Sequence, residues 1–412
     1  MTAQSGRSVE AVLLFTGFIA STYGFGLYLF PAMVEAIRSD IPFSYGVMGV
    51  MSGAVQAGFM VAALMAGFLT VRLGALPMIL GSIAICVTGL GALAAAQSVL
   101  MIAILLTLLG GCAAAIWVPM VEVSKEIVPK QHQGKALGLM SSGTSYGIFV
   151  NSFLLTLLLP AFGWRSLWIA TCLIVGALAI LGFLRLRRLG KREAPSDLPA
   201  APGPRTSLAA RLAALPKGLT ATIIFMMFLN GLSCMPYQTY LSAYLQGEAG
   251  YTADTSAYVW RFIGIVGMFS GFAIGALADR ITVRWGMFIT YLVLAVSCCL
   301  VVIAKQGAGQ LPVYLAAVTF GISFYAIFGL VPAYISHMFG LGSAALVFAF
   351  GNIALGFGGI VGNMLGGVMK ESTGSFQPVY LMMLGAALLS AIISWLMPSE
   401  RTENGAMQAA DV

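Results

Sequence analysis

Long apolar runs alternate with short polar breaks along the whole chain, at a spacing that suits a membrane-crossing helix followed by a turn. Six runs fall at about residues 10–33, 45–69, 77–95, 100–123, 136–159 and 166–183, and six more at about 219–244, 254–277, 285–304, 311–334, 344–368 and 377–397. Each has about 20 residues with few charges, enough to cross roughly 30 Å of hydrocarbon as a helix. One long polar connection interrupts them, residues 185–217. It carries RLRRLGKR, then a Pro/Ala/Ser-rich stretch, then RLAALPK, with a surface helix expected over 207–215. The predicted organisation is a six-helix unit (1–184), a cytoplasmic linker (185–218) and a second six-helix unit with a short tail (219–412).

Composition gives the same class. The 412 residues are 59% hydrophobic and 8% charged, whereas a soluble domain is about 25% charged. The 49 glycines suit close packing of helices in lipid. An all-α, multi-pass membrane protein follows. The linker has no room for a catalytic domain, so an enzyme is not expected. Cys86, Cys112, Cys172, Cys234, Cys298 and Cys299 all lie in apolar runs and read as small hydrophobes, with neither a disulfide framework nor a metal site. No cofactor is indicated, and a monomer is expected. The net charge of +7 points to membrane topology rather than to nucleic acid. With the N-terminus inside, the inner loops and tails hold sixteen Lys and Arg against four outside, Arg38, Arg165, Lys305 and Lys370. That bias places both termini in the cytoplasm. The expected location is the inner membrane of a bacterium.

The second half echoes the first. Gly67-Phe-Leu-Thr-Val-Arg72 after the second run is matched by Gly275-Ala-Leu-Ala-Asp-Arg280 after the eighth. Trp117-Val-Pro119 near the end of the fourth is matched by Leu330-Val-Pro332 in the tenth. Asn151, after a glycine ladder in the fifth, is matched by Asn352 and Asn363 in the eleventh. Twelve spans as six plus six in parallel repeat is a transporter architecture, with substrate held between the halves.

The twelve spans, the central loop and the two loop signatures resemble the major facilitator superfamily over residues 10–400. Its signature between spans two and three has the form G-x-L-x-D-R-x-G. This chain matches at Gly67, Leu69, Arg72 and Gly74 but has Val71 in place of the aspartate, while Asp279 and Arg280 keep the acid and base of the second copy. The resemblance implies a major facilitator fold of two six-helix bundles. It also implies a gating relay at the cytoplasmic ends, in which Arg72, Glu122, Asp279 and Arg280 take part. Arg72 either pairs with Glu122 or reaches the interface alone.

The sharpest functional candidate is Arg261, about seven residues inside the outer mouth of span eight, or roughly 10 Å deep. Arginine keeps its proton, and leaving it in hydrocarbon costs about 3 kcal/mol by insertion scales. It shares an arc of roughly 90° with Gly264, Met268, Gly271 and Gly275, so it turns toward protein or cavity. Its planar fork matches a carboxylate, sulfonate or phosphate. No intramembrane acid stands opposite it in the sequence, and the substrate would supply the missing charge. The competing reading is a structural arginine bonded to a neighbouring helix. By position, Arg261 also resembles the substrate-binding arginine of monocarboxylate and organic-anion porters, although the aspartate one turn earlier is absent. Softer lining candidates are Tyr28, Gln56, Trp117, Tyr146 and Asn151 in the first half, and Asn230, Tyr237, Gln238, Tyr325, Asn352 and Asn363 in the second. Each serves equally well as a helix–helix hydrogen bond.

The expected function is secondary active transport by alternating access, importing a small organic anion (a mono- or dicarboxylate) coupled to protons. The proton would ride on the substrate, on Asp254 or on Glu122. Two alternatives stand beside it: an exporter of drugs or metabolites by proton antiport, and a membrane sensor with a transporter fold. An exporter would want an acidic cavity residue, and a sensor would normally carry a sizeable soluble domain.

Overall fold

In a computed structural model of the protein, residues 3–129, 132–190, 215–304, 309–339 and 341–400 are described. They form helices with no strand among the described residues. Among the described residues, twelve helices are long and apolar enough to cross a membrane: α1 (Ser8–Ala32), α2 (Tyr45–Leu73), α3 (Ala75–Ala94), α4 (Val99–Ser124), α5 (Lys135–Phe162), α6 (Trp164–Leu186), α7 (Lys217–Gly247), α8 (Ala253–Ile281), α9 (Val283–Ile303), α10 (Leu311–Met338), α11 (Ser343–Thr373) and α12 (Gln377–Leu396). The helix that contains α6 continues to Gly190, past the expected end of the first unit at 184. The rest of the linker, 191–214, lies outside the described residues, and with it almost all of the surface helix expected over 207–215.

Local chemistry sets the helix ends. Ser44, Ser98 and Thr252 accept the N–H of Val47, Met101 and Thr255 at 3.2, 3.3 and 3.2 Å, capping the first turns of α2, α4 and α8. The turn leaving α2 passes through Gly74 at φ 87°, ψ 154°. Its counterpart after α8 is Thr282, at φ 141°, ψ 154°. Both turns therefore use a region of backbone space that suits glycine, although the second copy has a threonine there. The internal repeat visible in the sequence thus extends to the backbone of its turns.

Packing follows the small residues. In the first half α1 crosses α5 backbone to backbone: a Cβ on Gly147 would lie 2.5 Å from the Ala20 carbonyl oxygen and 2.6 Å from Gly24 Cα. The α1 segment at this crossing, Ala20–Phe25, is wound as a π-helix, and Asn151 Nδ2 donates to the Gly24 carbonyl at 2.8 Å. A wide turn loosens the backbone ladder, and a side-chain amide takes up a carbonyl. Large apolar side chains such as Leu64, Phe68, Phe269 and Leu396 are exposed; lipid covers such a surface.

The first six and last six helices meet chiefly along two seams, α2 against α11 and α5 against α8, with lesser contacts of α1 to α7 and α8. The first seam is tightest where α2 begins and α11 ends. There Glu371 Oε1 accepts the Gly46 N–H at 2.9 Å, and the Tyr45 and Phe376 rings stand edge to face at 4.9 Å. Further along, Gly49 abuts the Asn363 carbonyl, and Gly356 meets Met60 and Gln56. Beyond this point Gly67 has nothing within 4 Å of a Cβ position. The α2–α11 seam is closed at its Tyr45–Glu371 end.

Candidate functional site

Arg261 lies on the second seam and reaches from α8 to α5. Its Nε donates to Ser152 Oγ at 3.2 Å, and its Nη2 to Thr156 Oγ1 at 3.2 Å and to the Ser152 carbonyl at 3.5 Å. The guanidinium carbon sits 4.0 Å from the Phe153 ring centroid and 4.6 Å from that of Tyr258. Ser152 and Thr156 are one helical turn apart on α5, and Tyr258 is one turn before Arg261 on α8, so helix periodicity brings all four together. Gly264, the next residue on that face, lets α8 approach α5 closely, for its Cβ would meet Phe149 N at 2.9 Å.

Among the described residues every partner of Arg261 is neutral. Two ring faces at about 0.5–2 kcal/mol each, with hydroxyl and carbonyl acceptors, offset an insertion cost of about 3 kcal/mol. The charge is therefore tolerated without a carboxylate, and no ion pair to Arg261 occurs among the described residues. A full positive charge remains at the boundary between the halves.

A second feature lies between α1, α2, α4, α7 and α11. It is a narrow cavity of about 70 Å³, and its polar lining includes Tyr28, Ser52, Gln56, Gln238, Thr239 and Asn363. The structure thus brings four sequence candidates, Tyr28, Gln56, Gln238 and Asn363, to one place. Gln238 and Asn363 are each 3% exposed; the Gln238 amide faces the Tyr28 hydroxyl, and among the described residues Asn363 Oδ1 has no hydrogen-bond partner. The Tyr28 ring lies 6.5 Å from Trp260, the neighbour of Arg261, so the cavity wall touches the helix that carries the charge.

The other candidates are distributed elsewhere. Asn151 is bonded to Gly24 as described. Asn230 is buried and its Oδ1 accepts from Cys234 Sγ at 3.2 Å. Tyr237 is fully buried, bonded to Ser297 at 2.8 Å and stacked on Phe320 at 3.9 Å. Tyr240 and Tyr244, the neighbouring aromatics of α7, likewise donate to the carbonyls of Asn363 and Val301, at 2.6 and 3.0 Å. Tyr325 is half-buried beside Gly267, Trp117 is half-buried against the first-half core, and Tyr146 and Asn352 are exposed. None of these lines the cavity. Among the gating candidates, Arg72 is exposed and stacks on Phe68 at 4.3 Å. Glu122 is exposed and forms no ion pair among the described residues. Asp254 is exposed in the first turn of α8, while Asp279 and Arg280 are exposed at its far end.

Charged networks at the closed end complete the picture. Glu35 accepts from Arg38 at 3.1 Å and from Tyr45 Oη at 3.2 Å, and Arg38 covers the Tyr45 ring at 3.7 Å. Asp40 pairs with Arg165, whose hydrogen bond holds that carboxyl below its usual range. Glu248 accepts from Lys370 at 2.7 Å, Ser375 at 2.5 Å and the Phe376 N–H at 2.7 Å. Partial burial raises its pKa, but these donors outweigh burial and the carboxyl titrates below its ordinary value.

Comparison with known proteins agrees with this architecture. The Multidrug resistance protein MdtG of Dickeya zeae (strain Ech586) is 24% identical over 65% of this chain and 64% of its own length. The Hexuronate transporter of Bacillus subtilis (strain 168) is 22% identical over 88% of both chains. Monocarboxylate transporter 11 of Mus musculus is 28% identical over 80% of this chain and 74% of its own. In fold, the chain superposes on a crystal structure of a mutant nucleoside transporter NupG with a TM-score of 0.77 at 13% identity, covering 95% of this chain and 99% of that one. The family profile matches residues 13–363 and again 271–408, so the chain belongs to the Major Facilitator Superfamily.

Proposed function

We propose that this transporter imports a small organic anion, a mono- or dicarboxylate, by alternating access, and that a proton accompanies it. The observation that carries this reading is Arg261: an obligate cation on the seam between the halves, held among the described residues by neutral hydroxyls, a carbonyl and two aromatic faces. Its Nη1 makes no hydrogen bond among the described residues. A carboxylate arriving there would exchange with the Ser152 and Thr156 hydroxyls and neutralise the charge. Because Arg261 touches both halves, anion occupancy would be felt at the seam that must move. The units 1–184 and 219–412 would be the moving bundles, with the closed Tyr45–Glu371 end facing outside and both termini in the cytoplasm of a bacterium.

Asp254 and Glu122, the two protein groups considered for the proton, are exposed near helix ends, which favours a proton that travels with the substrate. Similarity to a multidrug resistance protein supports a second reading, proton-driven export. The cavity lining weighs against it, since it contains no acidic side chain to hold a cationic drug. Uptake of labelled carboxylates into proteoliposomes, with and without an imposed pH gradient, tests the proposal. Accumulation driven by an acidic exterior is expected. Equal uptake without the gradient would replace symport by uniport or exchange, and extrusion of lipophilic cations would favour the exporter.

A further inference from the structure

The small cavity contains chemistry that an anion site alone does not use. Among the described residues no charged side chain lines it, yet two buried amides there are incompletely paired. Gln238 comes from α7 and Asn363 from α11, each 97% shielded; the Gln238 amide faces the Tyr28 hydroxyl without a hydrogen bond of ordinary geometry, and among the described residues Asn363 Oδ1 lacks a partner. Tyr28 and Gln56 approach the same space from α1 and α2. An amide offers a donor and an acceptor whichever way it is turned, so the pair presents both kinds of group. A buried polar atom without a partner is costly, and a cavity of about 70 Å³ has room for a handful of waters or a solute of a few carbons. Apolar walls, with Phe59, Leu106 and Met235 among them, surround these polar points. That combination suits a short carbon skeleton bearing hydroxyl groups.

We infer that Gln238 and Asn363 form a subsite that reads the hydroxyl groups of the substrate. The transported class is then short hydroxylated carboxylates rather than plain aliphatic or aromatic acids. The inference rests on the anion reading for the carboxylate end. On α8, Trp260 meets Tyr28 of the cavity wall, and Arg261 is its neighbour in the chain. An aliphatic acid would enter the cavity and leave both amides unpaired. A hydroxy acid would supply a donor and an acceptor on each hydroxyl.

Three probes with one carbon skeleton separate the two ideas: glycerate, propionate and glycerol, titrated calorimetrically into the purified full-length protein. Glycerate should bind at least about tenfold more tightly than propionate, the factor of a hydrogen bond worth about 1.4 kcal/mol. In Gln238→Leu and Asn363→Leu that ratio should fall toward one. Equal binding of glycerate and propionate by the unmodified protein would overturn the subsite and leave the anion reading intact, and this comparison needs no substitution. A ratio that survives in both variants would also overturn it, assigning the discrimination to other groups. Glycerol binding as tightly as glycerate would instead sink the anion reading and keep the subsite. Binding of none of the three counts against both.

Discussion

Gly49→Ala probes the α2–α11 seam, closed at its Tyr45–Glu371 end. The new methyl would press on the Asn363 carbonyl oxygen, lie 2.7 Å from Tyr240 Oη and stand 3.2 Å from the Asn363 carbonyl carbon. That is about 1 Å short of ordinary van der Waals contact, and two of the three opposing atoms are backbone. Overpacking of this kind costs about 1–3 kcal/mol. Gly49 belongs to the first half and Asn363 to the second, so the cost falls on the closed arrangement and is relieved when α2 and α11 part. A change of about 1–3 kcal/mol shifts a two-state ratio roughly 5- to 150-fold. Nitroxide labels on Ser39→Cys and Ser372→Cys, both exposed positions near that end, would report the distance, after the exposed Cys299 is replaced. Gly49→Ala should gain a longer-distance population. Gly67→Ala on the same helix, with nothing within 4 Å of the new methyl, should not. Identical distance distributions for the two variants would refute the assignment of this contact as a state-specific constraint.

Three further outcomes follow from local physics. Thr282→Gly should raise stability by about 1 kcal/mol, because the backbone at φ 141° costs about 1–3 kcal/mol for a residue with a Cβ and the threonine cap to Trp285 is long, at 3.5 Å; an unchanged or lower melting temperature would remove strain as the cause. Gly147→Val should abolish folded protein, because its side chain would occupy the backbone of α1 at Ala20 and Gly24; normal yield and monodispersity on size-exclusion chromatography would contradict that crossing. Glu248 titrates below its ordinary value when folded, so its stabilisation is complete above about pH 4.3 and is lost as pH falls through the folded value; melting curves at pH 3 to 7 should lose part of their acid limb in Glu248→Gln, and an unaltered acid limb would argue against the Lys370 pairing.

The membrane plan was legible because it depends on run length and charge placement alone. All twelve spanning helices lie where the apolar runs are. Arg261 was legible too, as a charge with no acid opposite. Its cradle was not. Ser152 and Thr156 are lone hydroxyls in an apolar helix, where they also bond back to their own backbone, at 2.6 Å to Phe149 and 2.9 Å to Ser152. Nothing in the sequence distinguishes that habit from a role as acceptor for a neighbouring helix. The lining candidates show the same limit in another form. Asn352 and Asn363 are eleven residues apart and so within about 20° of one helical face, yet one is exposed and the other 3% exposed beside the cavity. Periodicity gives a direction around the axis; where along that axis a partner helix comes close is set by the whole fold. On α7, Tyr237 and Gln238 are adjacent. One turns into the core of its own half against Phe320, and the next faces the cavity. Both faces of that helix are buried, so hydrophobic pattern could not choose between them.

Ligand-dependent thermal stability tests whether Arg261 is the anion anchor. A panel of carboxylates would be screened on the unmodified protein, and the best one titrated against Arg261→Lys and Arg261→Ala. The unmodified protein should show a ligand-induced rise in melting temperature, Arg261→Lys, which lacks the planar fork, an apparent affinity at least about tenfold weaker, and Arg261→Ala no shift. An Arg261→Ala protein that is stabilised by the same carboxylate at the same concentrations would contradict that role, and would reassign Arg261 to holding α8 against α5.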